Sequence, residues 1–237
     1  MKTAFNELRR NGRENKIFLI AIYLIFVAFL GRQFFTDFES GGLYALEDYK
    51  KVAGEIGTFF LISTLFLAYE YNSLTAVRYK SRYVILQYHL LKILFPAFLM
   101  SITSVLLFMV AGYVQGFFNG HYVSATLFGL MLAAQLILSL SAIGLLSCMF
   151  NVWVRNELLG TIFVLAFFTF NSYRTSVLTR VVGLFTYNYH QFYLSKFLLI
   201  PGGAMTYTTI KSCGLLFAVG ILSFLVSLRV KKIDFLD

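Results

Sequence analysis

Charge is what this 237-residue chain has least of. Only 13% of its residues are Asp, Glu, Lys or Arg, about half the roughly 25% of a soluble domain. That shortage excludes an intrinsically disordered chain and an ordinary soluble enzyme. Cysteine is nearly absent: Cys148 and Cys213 stand far apart in apolar stretches, with no CxxC. A disulfide-stapled secreted domain is excluded, and the two thiols read as small hydrophobes. Proline occurs twice; Pro96 is expected to kink the helix that contains it.

Apolar surface is what the chain has in quantity. Hydrophobic residues make up 59% of it, with 27 Phe and 15 Tyr, in long stretches almost free of charge. Water cannot be the solvent for most of that surface, so the chain reads as an integral membrane protein. Unpaired backbone groups are too costly in hydrocarbon, and no alternating ten-residue pattern suggests a barrel, so the spans are helices. The expected fold is an all-α polytopic membrane protein, one transmembrane domain over residues 1–237. Its six helices fall at residues 17–35, 52–69, 90–114, 123–150, 158–170 and 213–228, the shorter ones needing flanking residues to reach the ~20 of a full crossing. A cleaved signal peptide is the weaker reading of the first span, because its charged leader is long and no A-x-A-like site follows Gly31.

Basic residues orient this layout. Lys2, Arg9, Arg10, Arg13, Lys16, Arg78, Lys80, Arg82, Lys92, Arg155, Arg229, Lys231 and Lys232 fall on one side, thirteen of the twenty Lys and Arg. The positive-inside rule puts that side, and both termini, in the cytoplasm, and the implied location is the plasma membrane. The same charges offer a contact surface to anionic headgroups of the lipid bilayer. They sit beside spans without a recognition motif, so nucleic acid is not an expected partner.

Three segments are not spans. Residues 1–16 read as an interfacial amphipathic helix, with Met1, Ala4, Phe5 and Leu8 at i, i+3, i+4 and i+7. The cytoplasmic connection 70–89 is longer than joining two helices requires. It is large enough for a short exposed helix suited to a groove on another protein; a plain positive-inside anchor is the alternative. The outer segment 171–212 is apolar, and reads as re-entrant half-helices broken at Pro201, Gly202 and Gly203. Gly112, Gly116 and Gly120 recur every fourth residue, a spacing that permits close helix contact.

No catalytic constellation, metal-ligand spacing or nucleotide-binding motif is present, so the chain is not expected to be an enzyme or to carry a cofactor. Glu55, Glu70 and Glu157 sit at helix ends as interfacial charges or coupling contacts rather than proton relays.

The amphipathic leader, the basic connection and the apolar outer segment together resemble the permease subunits of type-2 ATP-binding-cassette exporters. Glu70 followed by Arg78, Lys80, Ser81 and Arg82 is similar to that family's acidic residue and small-Arg start of the third span. The chain departs from the family in having Asn72, Ser73 and Thr75 where glycines are often seen. The resemblance implies that Glu70, Leu74, Val77, Arg78, Lys80 and Arg82 couple to a separate ATPase subunit, with Arg155 and Glu157 as a second cytoplasmic contact. It further implies a second permease subunit, as a homodimer or heterodimer, and ATP with magnesium on the partner ATPase. The cargo would be an amphipathic peptide or lipid-like molecule. The alternatives are a substrate-binding membrane subunit of a vitamin importer, a membrane enzyme and a membrane scaffold.

Overall fold

The computed structural model describes residues 2–36, 55–67, 82–118, 120, 122–154, 156–172 and 201–231. Among these there is no strand, and seven α-helices follow in order. They are α1 Lys2–Glu14, α2 Lys16–Thr36, α3 Gly57–Leu65, α4 Arg82–Val114, α5 Tyr122–Val154, α6 Glu157–Ser172 and α7 Pro201–Lys231. Three of them carry apolar runs long enough to cross a membrane: Lys16–Thr36, Val84–Val114 and Ala125–Val154.

The helix bounds differ from the hydropathy reading in an instructive way. Residues 82–89, assigned above to the connection, belong to α4, and residues 201–212, assigned to the re-entrant segment, belong to α7. Hydropathy marks only the apolar part of a helix, whereas backbone pairing continues through Gln87, His89 and Lys92 until something stops it. Of the rest of the re-entrant assignment, 171–172 belong to the end of α6; 173–200 and the connection 68–81 lie outside the described residues.

The helix α5 is central, packing on α3, α4, α6 and α7, while α4 packs on α1, α2, α3, α5 and α7. Buried positions follow helical spacing: Phe26, Leu30 and Phe34 on α2, and Leu132, Leu136 and Leu140 on α5. The outward faces are as apolar as the core, with Leu24, Phe98, Leu130, Phe163 and Phe217 all exposed. Exposed large apolar residues around several helices suit a hydrocarbon surrounding. In the apolar window of α2, 17% of residues are buried against 61% in that of α5, so α2 lies at the periphery.

The glycine repeat is corrected. Only Gly112 lies in a helix; Gly116 and Gly120 have φ of 73° and 80° and stand in the turns beyond α4. Gly116 N–H donates to Tyr113 C=O at 3.1 Å and Phe117 N–H to Gly112 C=O at 2.9 Å. These two bonds form a Schellman stop, which wants a glycine in the left-handed region. Gly112 makes room for the ring of Phe118, which folds back over the helix end.

Candidate functional site

One end of the bundle gathers its buried charged residues, Lys92 and Glu157, among the described residues. There α3 ends, α4 begins, α5 ends and α6 begins, with α1 packed alongside. Lys92, two turns and more into α4, is 2% exposed and its Nζ lies 2.5 Å from Glu157 Oε2. Glu157 opens α6, where its carboxylate meets the positive end of the helix dipole. His89 lies one turn before Lys92, and its Nδ1 is 3.9 Å from Glu157 Oε1, too far for a direct hydrogen bond. A buried pair of this kind pays a desolvation cost that its attraction roughly offsets. Its geometric effect is to tie the start of α4 to the start of α6.

The turn between α5 and α6 is built to deliver Glu157 there. Asn156 caps α6, its Oδ1 accepting from the N–H groups of Leu158 and Leu159 at 3.0 and 3.1 Å. At the crossing of α5 and α6, Gly160 leaves room for Asn151, which a Cβ would strike. Asn151 Nδ2 and Ser147 Oγ approach Thr161 Oγ1 at 3.4 and 3.2 Å, adding polar contacts between the two helices.

A second polar set joins α1 to both stems of the connection. Asn11 Nδ2 donates to the Tyr88 hydroxyl at 2.7 Å, which in turn donates to Leu67 C=O at 2.8 Å. Asn15 Nδ2 donates to Phe66 C=O at 2.9 Å. Phe66 and Leu67 follow α3, and Tyr88 stands in the second turn of α4. The two carbonyls at the end of α3 would lack helical partners; the Asn15 amide and Tyr88 hydroxyl satisfy them.

Of the residues predicted for coupling, Glu70, Leu74, Val77, Arg78 and Lys80 lie outside the described residues, as does Arg155. Arg82 opens α4 and Pro201, Gly202 and Gly203 open α7; their side chains are not described. Glu157, expected as a cytoplasmic contact, is 6% exposed and turned into the bundle toward Lys92. Among the described residues no group of His, Cys, Asp or Glu could hold a metal ion. Cys148 is buried, Cys213 exposed, and both thiols are free.

Lys92 had a legible signal that charge counting for topology overlooked. It is the sole Lys, Arg, Asp or Glu between Arg82 and Arg155, and Glu157 is the sole acid between Glu70 and Asp234. A lone charge in an apolar helix calls for a partner, and only one acid in that part of the chain could answer. No protein-family model, curated protein or solved structure matches the chain.

Proposed function

We propose that the chain is the permease subunit of an ATP-binding-cassette exporter. In this reading it spans the plasma membrane six times with both termini in the cytoplasm. It works as a homodimer or heterodimer of permeases with two separate ATPase subunits, which carry ATP and magnesium. The cargo is an amphipathic peptide or lipid-like molecule, passed between the two permeases by alternating access.

The observation that carries the proposal is the hydrogen-bonded chain from Asn11 through Tyr88 to Leu67. It grips both stems of residues 68–81 and links them to α1. A displacement of that connection by a partner would move α1, α3 and α4 together, and the Lys92–Glu157 pair would extend the movement to α6. Such coupling has energetic content only if the partner's two states contact the connection differently. Leu74 and Val77 supply a small apolar anchor, and Arg78 and Arg82 the charges for acidic residues of the ATPase.

The test compares two variants that insert normally, Leu74→Ala with Val77→Ala, and Arg82→Glu. Each should lose about 2 kcal/mol or more of docking energy, read as loss of ATPase co-purification and of cargo-stimulated ATP hydrolysis. Normal association and hydrolysis in both variants would return residues 70–82 to a topology anchor. Tight capture of a vitamin by the isolated chain would favour the importer reading instead.

A further inference from the structure

A cavity of about 320 Å³ lies at the junction of α1 and α2, with α3 and α4 forming its far walls. That is the lower end of the ~300–1,000 Å³ typical of ligand pockets. Leu8 of α1, Leu19 of α2, Leu67 beyond α3, and Phe95, Leu99 and Met100 of α4 make its lining chiefly apolar. The hydroxyls in the lining are already engaged. Tyr23 bonds Thr103 at 2.5 Å, and Ser63 donates to Phe60 C=O at 2.7 Å. The interior therefore asks for an apolar occupant.

Arg9 is the one charged residue of the lining. Its neighbour Arg10 pairs with Glu7 at 2.7 Å and approaches Glu14 at 3.9 Å. Among the described residues Arg9 has no acidic partner, and it is exposed. Phe95 and Leu99 are exposed too, so the cavity has a flank on the apolar surface of α4 as well as a cationic rim. A free phosphate would have no use for the apolar walls, and a zwitterionic lipid offsets the pull of the guanidinium on its phosphate with its own headgroup cation. A guanidinium matches the planar, bidentate recognition of phosphate.

We propose that this cavity holds one acyl chain of an anionic phospholipid, with the headgroup phosphate on Arg9. The bound lipid fills the space between α1 and the spans, and so belongs to the packing of the N-terminal helix. The site is independent of any ATPase.

The test uses the full chain purified from phosphatidylcholine bilayers doped with a minor fraction of phosphatidylglycerol, with co-purified lipid quantified by mass spectrometry. The wild-type chain should retain phosphatidylglycerol in excess of its share of the bilayer. Arg9→Gln should reduce that enrichment about fivefold, the effect of one basic residue at an anionic surface, whereas Arg10→Gln should leave it nearly intact. Leu99→Trp, which fills the cavity, should lower retention of both lipids; Leu19→Trp fills it from the opposite wall if the first variant does not fold. Unchanged enrichment in Arg9→Gln, an equal loss in Arg10→Gln, or undiminished retention in a folded filling variant would overturn the proposal.

Discussion

The two ends of the helical bundle are secured by different chemistry. At the end where α4 begins, Lys92 pairs with Glu157, and Tyr88 relays a hydrogen bond from Asn11 to Leu67. At the end where α4 stops, Phe108 is the hub, with ring centroids of Phe34, Phe118 and Phe128 at 5.9, 6.0 and 6.3 Å. Polar contacts are present at that second end as well. Gln115 Nε2 donates to Phe34 and Phe35 C=O at 3.3 Å, and Gln33 Nε2 to Glu55 at 2.9 Å. Ion pairs and hydrogen bonds are made or lost in discrete steps, whereas close-packed rings resist displacement through many small contacts. The first end is thus held by a few discrete polar contacts, and the second by distributed ring packing.

The largest effect expected is at the ion pair. Lys92→Met alone leaves a buried carboxylate without its cation and should cost about 3–5 kcal/mol. Lys92→Met with Glu157→Leu should recover most of that loss, as read by reversible unfolding in mixed micelles. A double variant no better than the single one would mean that the charges do not act as a pair. Phe108→Ala should cost about 3 kcal/mol by opening a cavity, and hydrogen exchange should rise at the end of α4 before it rises in α1. If α1 loosened first, the separation of the two ends would fail.

Smaller changes sharpen the contrast. Tyr88→Phe removes both bonds of the relay and should cost about 1–2 kcal/mol, with faster exchange confined to α1 and the end of α3. Gly116→Ala forces a Cβ into the left-handed region and should cost about 1 kcal/mol. Its signature is fraying of the last turn of α4, with α1 exchange unchanged.

The sequence made much of the first end's framework legible and little of its wiring. Ala4 and Leu8 marked the buried face of α1 through spacing alone, and both are buried. Phe5 shared that spacing, yet it is 55% exposed and lies in the cavity lining. A wheel gives a face, but the neighbours decide how much of it is covered. The apolar runs of α2, α4 and α5 were plain because hydropathy averages over a whole span. Pairing between Lys92 and Glu157 depends on a separation of 65 residues, and reading each charge for its side of the membrane hid their mutual need. The glycines at 112, 116 and 120 misled for a related reason: spacing alone does not separate a helix face from a helix stop.

The order of the ion pair along the chain has a consequence for biogenesis. Lys92 is synthesised 65 residues ahead of Glu157, which at ribosomal speed is roughly 3–13 s. Throughout that interval the ammonium group is without Glu157, and its long stem can reach toward water instead. The arrival of α6 supplies the carboxylate. The link between the starts of α4 and α6 is therefore a late step of assembly, because it waits for the last of its two charges to be made.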